Sequence, residues 1–460
     1  MIEKFKRQAH KIEEMTPDER DRYADFLRAG SILVVVLGHW LVTYMTVEDG
    51  EIIADVLLQV VPETQWATWV VQVMPLFFFV GGMANAIGWE SAQRKNESYI
   101  NWLRKRARRL LWPVVPLILF WIPVVLLLDW LGSPADMLTL MNQAVLIPLW
   151  FLAAYMLVVM ISPVAYWLHR KFGLAALGGF VVMALLCDIG HRSGVPVVGW
   201  LNYLWVWGAV HQAGFFWHDD RIPEAPWKGI CIAAVGYAIL VVLTQFFDYP
   251  LAMVGTGEAA PQPGDSNNTP PSIALLVLGA AQIGLISAFR RPVGRLLQKP
   301  LLWGAVVLVG SRIMTVYIWH MTAMVAVAAA AYPTGLWPDP EGVTAVWWLT
   351  RIPWVLLLTV ALLILVFAFG RFERAREGRP TTLEGWPARL KAFGGVVLTV
   401  AGLGILITGG LYDAEGPMAV PVVPLVMLFV GLVGLGVVGT RLFGRWADTD
   451  PEPPPEDGNI

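Results

Sequence analysis

Charge is scarce in this chain. Asp, Glu, Lys and Arg make up only 15% of its 460 residues, whereas 57% are hydrophobic and 23 are Trp. No soluble domain of this size tolerates such a surface, so the shortage of charge excludes a water-soluble enzyme. With a net charge of −2, no nucleic-acid partner is expected either. Cysteine is nearly absent. Cys187 and Cys231 both fall within long apolar runs, which argues against a disulfide framework and a thiolate metal site. No glycine-rich phosphate loop with a following Lys-Ser or Lys-Thr occurs, and no HExxH pair, so ATP-driven and zinc-protease chemistry have no support. No metal and no permanently bound cofactor are expected. None of the seven His begins the H-x-x-x-x-D pairing of the glycerolipid acyltransferases.

Long apolar runs are abundant instead. A crossing of the hydrocarbon core takes roughly 20 helical residues. Segments of that kind lie at about 25–45, 66–88, 110–131, 146–168, 173–191, 196–217, 229–248, 272–290, 301–331, 343–370, 393–412 and 420–443. The expectation is an all-α, polytopic transmembrane helical bundle of about twelve spans in a lipid bilayer. Of the 33 Lys and Arg, all but Arg28, Arg192, Arg312 and Arg351 fall in or at the edge of alternate connections. The positive-inside rule then places both termini in the cytoplasm of a multi-pass protein of the cell membrane. The polar segment 1–24 precedes an apolar run too long for a signal-peptide core and without a small-residue cleavage signal, so that run reads as an uncleaved first span. The membrane domain is expected over 25–370, a cytoplasmic loop over 371–392 and two additional helices over 393–443. The acidic, proline-rich 444–460 reads as a disordered tail, and the outer loop 249–271 as a flexible connection.

Three clusters of polar residues break the apolar pattern. The first is DFLRAGSILVVVLGHWLVTY, residues 25–44, a span that carries Asp25, Arg28 and His39 where a membrane anchor carries none. Eleven helical steps bring His39 back to within about 20° of Arg28 and roughly 16 Å along the axis. Asp25 lies on the same stripe, one turn before Arg28. The second is Arg104, Lys105, Arg106, Arg108 and Arg109, a basic run leading into the third span. Such a run is a topology determinant or anionic-lipid contact, or else a dock for the phosphates of a soluble cofactor, to which the planar fork of Arg is suited. Periodicity does not choose between these. The third is GSRIMTVYIWHMT in the ninth span. Along one helix Arg312 and His320 are about 80° and roughly 12 Å apart, with Tyr317 one turn before His320. Pairing with Asp25 or another buried carboxylate would satisfy Arg312, and His320 reads equally well as an interhelical hydrogen-bonding group.

Taken in order, these residues resemble the acyltransferase-3 family of integral membrane acyltransferases. The likeness rests on Arg28, ten residues and His39 in the first span, PLFFFVGGMANA in the second, NWLRKRARRLLWP after it, PLWFLAAYMLVVMISPV in the fourth and TVYIWHMT in the ninth. It covers roughly residues 20–370, a ten-span core to which the last two spans are an addition; no SGNH-type hydrolase domain is expected. The resemblance implies transfer of an acyl group, commonly acetyl, from cytoplasmic acyl-CoA to a hydroxyl of a glycan, lipid or small molecule. Arg28 and His39 match the family's required pair, with Asp25 expected to position the Arg28 guanidinium. Arg104, Arg106, Arg108, Arg109 and Arg312 are the candidate contacts to the donor. Trp150, Tyr317 and His320 are candidate substrate contacts, and His191 with Arg192 a further acceptor-side candidate. An alcohol is a weak nucleophile at neutral pH, and imidazole, with its pKa near neutrality, suits His39 as the base. An acyl-histidine intermediate fits the same residues. A twelve-span secondary transporter is the competing layout, beside another histidine-centred O-acyltransferase architecture and a non-catalytic binding protein.

Overall fold

A computed structural model describes residues 2–17, 20–48, 51–222, 225–255, 266–338, 340, 342–373 and 385–438. The expected tail 444–460, the middle of loop 249–271 and the centre of loop 371–392 lie outside the described residues. The chain is a helical bundle: α1 Ile2–Glu14, α2 Arg22–Val42, α3 Met74–Arg94, α4 Tyr99–Leu111, α5 Val114–Trp130, α6 Ala135–Leu146, α7 Leu149–Phe172 and α8 Leu174–Arg192. It continues with α9 Asn202–His218, α10 Pro226–Phe246, α11 Ile273–Leu296, α12 Pro300–Gly310, α13 Ile313–Ala331, α14 Ala345–Phe369, α15 Gly385–Gly409 and α16 Val422–Gly434. A single antiparallel hairpin interrupts it, β1 Thr43–Glu48 against β2 Glu51–Val56, with Thr43 opposite Val56 and Glu48 opposite Glu51. Both strands are rich in Thr, Val and Ile, which suit a pleated surface.

Local chemistry sets the helix that organises the bundle. Asp21 caps α2 by accepting from the Ala24 amide at 2.9 Å, and at the other end Thr43 turns extended and leads into β1. Between them one face of α2, including Leu27, Ile32, Val36 and Trp40, is buried against α3, α12 and α13, while Leu33 and Leu37 stay exposed. Elsewhere small residues let backbones approach closely. A Cβ added to Gly82 on α3 would lie 2.0 Å from the His211 carbonyl oxygen, and one on Gly214 of α9 2.0 Å from that of Phe79. Lipid supplies little hydrophobic drive between helices, so this tight packing holds the pair together.

Among the described residues, nine helices are long and apolar enough to cross a membrane, or ten if the bent pair α4–α5 is one span. The expected third span, 110–131, is α5, which meets α4 at a 40° bend at Trp112–Pro113, where proline has no N–H to continue the ladder. Among the described residues of the expected segment 420–443 the α-helix is α16, and 196–217 divides into a short turn, Pro196–Trp200, and α9.

The run 301–331 also departs from a single span: it breaks at Ser311–Arg312 into α12 and α13. Arg312 has φ −130° and ψ 20° and caps α13 from outside the helix, so the continuous-helix spacing between Arg312 and His320 does not apply. Its guanidinium donates to the Gly370 carbonyl at 2.6 Å rather than to Asp25. Glu373 accepts from the Met314 and Thr315 amides at 3.0 and 3.2 Å and from the Thr315 hydroxyl at 2.6 Å. That carboxylate satisfies N–H groups that a break in the helix leaves without carbonyl partners. The last two helices are part of the bundle, since α15 packs on α6, α7 and α16.

Candidate active site

At the far end of α2 from its cap, His39 meets a second histidine. Its Nδ1 lies 2.8 Å from Nε2 of His320 on α13, and the two rings are nearly parallel, 4° between planes with centroids 5.1 Å apart. The other nitrogen of His320, Nδ1, is 2.5 Å from the Tyr317 carbonyl oxygen, which only accepts. A neutral His320 therefore carries its proton on Nδ1 and offers Nε2 as a lone pair. His39 then donates through Nδ1, and its own Nε2 is left as the lone-pair nitrogen, without a hydrogen-bond partner among the described residues. The surroundings hold this pair in place. Trp40 Nε1 donates to the His320 carbonyl at 3.1 Å, and the Tyr317 hydroxyl donates to the Pro148 carbonyl at 2.7 Å. Tyr317 and His320 are buried and His39 is half-buried.

Three of the five site histidine, arginine and tyrosine candidates named in the first and ninth runs thus fall at one point: His39, Tyr317 and His320. Trp150 lies on the neighbouring α7, half-buried, with its ring 6.3 Å from Phe151, 6.5 Å from Tyr203 and 6.2 Å from Trp207. Phe151 in turn sits edge-on to Tyr317 at 5.8 Å.

Toward the start of α2 there is a second polar centre. A cavity of about 280 Å³ is lined by Arg20, Asp25, Arg28 and Arg109, and walled by Val306, Gly310 and Ile313 near the break between α12 and α13. Asp25 holds Arg20 at 2.6 Å and Arg28 only at 3.8 Å. The expected Asp25–Arg28 pair is therefore the longer of its two contacts. Arg109 is exposed and makes no hydrogen bond or ion pair with a described residue. Arg106 approaches from α4, with Nη2 3.0 Å from the Ala84 carbonyl and its guanidinium 5.7 Å from the Trp102 ring. It passes so close to Gly88 that a Cβ there would lie 1.7 Å from Nη2. Arg28, Arg106 and Arg109 are near enough to act on one another electrostatically and on the hydroxyl of the half-buried Tyr155. Their like charges are concentrated where one carboxylate, already engaged by Arg20, lines the wall. That is the electrostatic arrangement of an anion site.

The remaining basic candidates lie elsewhere. Arg104 Nε donates to the Leu435 carbonyl at 3.3 Å, and Arg108 donates to the Gly436 carbonyl, at 3.1 Å from Nε. Lys105 pairs with Glu97 at 2.9 Å. His191 contacts the Pro196 carbonyl at 3.2 Å, and Arg192 donates to the Phe247 carbonyl at 2.7 Å while stacking on Tyr249. Sequence reasoning missed Asn85 and His211, both buried, and the half-buried Tyr155; Asn85 Nδ2 lies 3.4 Å from the Tyr155 hydroxyl and 3.0 Å from His211 Nε2. The signal was a polar residue in each of two apolar motifs, MANA and LAAYM, but single polar residues of this kind read equally well as packing.

No curated protein and no solved structure matches the chain. A family model, Acyl_transf_3, described as an acyltransferase domain, matches residues 21–371, from the cap of α2 to just past α14. The match covers well over half of the 460 residues, and the chain belongs to the acyltransferase-3 family of membrane acyltransferases.

Proposed function

We propose that the chain transfers an acyl group, acetyl or another short acyl, from acyl-CoA to a hydroxyl of a glycan, lipid or small molecule, with His39 as general base. One observation carries the reading: a single helix, α2, has an arginine-lined cavity at one end and the His39–His320 pair toward the other. Both termini lie in the cytoplasm of a cell-membrane protein, so the cavity opens toward soluble acyl-CoA. Arg28, Arg106 and Arg109 hold its phosphates, and the extended pantetheine arm runs along α2 toward His39, roughly 16 Å away by helical rise. The acceptor enters from the hairpin end.

At the reaction centre Nε2 of His39 takes the acceptor hydroxyl proton as the oxygen attacks the thioester carbonyl. The tetrahedral intermediate collapses with loss of the CoA thiolate, and the imidazolium returns the proton to sulfur. His320 acts as a positioning residue: by accepting from His39 Nδ1 it fixes the tautomer in which Nε2 is the base. Arg312, bound to Gly370, positions the α12–α13 break that walls the cavity, and has no direct part in holding the donor.

His39→Ala is expected to reduce transfer by about 10²- to 10⁴-fold, the range for a lost general base. Membrane insertion and abundance should be unchanged. Labelled acyl-CoA supplied to membranes, with mass spectrometry of envelope glycans and lipids for the new ester, reads the outcome. Wild-type transfer by this variant would remove His39 from the mechanism.

A further inference from the structure

A buried charge without a partner is rare, because nothing offsets its desolvation. Among the described residues Arg351 is such a charge. On α14 the positions Trp347, Arg351, Trp354, Leu358 and Leu362 form one buried stripe, while Val346, Leu349, Ile352 and Leu356 face outward. Arg351 is only 3% exposed. Its guanidinium carbon lies 4.3 Å from the Trp347 ring and 5.7 Å from that of Trp354. Aromatic faces attract the cation but accept nothing from N–H bonds in the guanidinium plane. Nε and Nη1 of Arg351 are accordingly buried with no acceptor among the described residues.

The neighbouring groups repeat the pattern. The indole N–H groups of Trp347, Trp354 and Trp337 are likewise buried without acceptors among the described residues, and the Trp337 ring is 4.9 Å from that of Trp354. These are all donors on neighbouring side chains, the kind of group that an acceptor-rich anion would satisfy. The cluster also touches the chain that leaves α2: the Trp347 ring is 5.9 Å from that of Tyr44 in β1, five residues beyond His39. It lies toward the hairpin end, away from the Arg28 cavity.

We propose that Arg351, with the indole N–H groups of Trp337, Trp347 and Trp354, binds an anionic group, carboxylate or phosphate, carried by the acyl acceptor. The forked guanidinium matches either oxyanion bidentately, and the indoles take the remaining lone pairs. The assignment to the acceptor rests on the reading that the acceptor meets His39 from this end.

The test reads binding, so its outcome does not depend on turnover. Full-length protein in phosphatidylcholine nanodiscs, with coenzyme A present to fill the Arg28 cavity, is titrated with glucuronate, inorganic phosphate or neutral glucose, and the melting midpoint is followed. A saturable rise with an anion, absent with glucose, is expected in wild type and in Arg109→Ala. Arg351→Gln should weaken that response about 10- to 100-fold, as for a lost charged hydrogen-bond partner, and Trp347→Phe about 2- to 10-fold. If Arg351→Gln fails to fold, Arg351→Lys, which keeps the charge but loses the fork, and Trp347→Phe carry the comparison. Replacing part of the lipid with phosphatidylglycerol distinguishes the source. Stabilisation by that lipid alone, lost in Arg351→Gln, supports the site with a lipid phosphate as its anion. A response retained by the Arg351 and Trp347 variants, lost instead in Arg109→Ala, or absent with every anion overturns the proposal. Loss of acyl transfer with this binding intact would count against the proposed reaction and not against the site.

Discussion

Arg106 and Arg109 share one 13-residue helix, α4, with Arg104 and Arg108, yet the two pairs have different surroundings. At about 100° per residue the pairs point roughly 150° apart. Arg104 and Arg108 reach the carbonyls of Leu435 and Gly436, where α16 ends and Gly436 has φ +65°. Arginines at a helix C-terminus complete carbonyls that have no intrahelical donor. Arg109 instead lines the cavity beside Arg28, and Arg106 lies within electrostatic reach of Arg28, Arg109 and Tyr155. A basic run is therefore not a site by composition. Arg104 and Arg108, held by carbonyls at the end of α16, support the fold, whereas Arg109 lines open space beside other cations and is placed for an anion from outside, with Arg106, bound to the Ala84 carbonyl, adding its charge to that face.

This contrast is broken most severely by removing the cations that face the cavity. Arg28→Ala and Arg109→Ala should each raise the KM for acyl-CoA about 10- to 100-fold, the range for a charged hydrogen-bond partner, with little change in melting temperature. Arg109→Lys should recover part of the loss, since ammonium keeps the charge without the fork. Steady-state kinetics at varied donor concentration measure both. An unchanged KM would place the donor phosphates elsewhere.

A smaller effect is expected from moving Arg106 without removing it. In Gly88→Ala the new Cβ meets the end of the Arg106 side chain, which is flexible enough to swing away. The helix itself gains about 1 kcal/mol of propensity from the exchange. Thermal stability should hold or rise while donor affinity falls, by about 3- to 10-fold for a displaced but surviving contact. A parallel loss of stability and affinity would mean that Arg106 supports α3 and α4 and does not hold the donor.

Much of this arrangement was legible from local sequence, and the remainder depends on distant residues. The shortage of charge and the long apolar runs gave the helical membrane bundle, and the eleven-residue interval placed Arg28 and His39 on one stripe. The break at Ser311–Arg312 was not legible, because the hydrophobic run is nearly continuous and the groups that stabilise the break, Gly370 and Glu373, come from the far end of α14. His39 and His320 could each be recognised as buried polar groups. Their pairing depends on α2 and α13 packing side by side, and single-helix periodicity carries no information about that. The division of the basic run had the same difficulty. Helical phase separates its two faces, but only the position of α16 says which face is already occupied.

The smallest functional effect should therefore belong to the arginines that sequence alone groups with the donor site. Arg104→Ala and Arg108→Ala each leave carbonyls at the end of α16 without a charged donor. Partial exposure lets water replace much of that interaction, so about 1 kcal/mol per substitution is expected, or a fall of about 1–2 °C in melting temperature for a chain of this length. The KM for acyl-CoA should stay within about twofold of wild type, because neither side chain lines the cavity. Arg104 reaches Leu435 in the space beside Gly436 that a Cβ would fill. Gly436→Ala should consequently reproduce the loss of stability, through both the positive φ and the displaced guanidinium, and again spare donor affinity. If either arginine variant instead raised KM as far as Arg109→Ala does, the helical-phase division would fail and the whole run would have to be counted as one donor-binding surface.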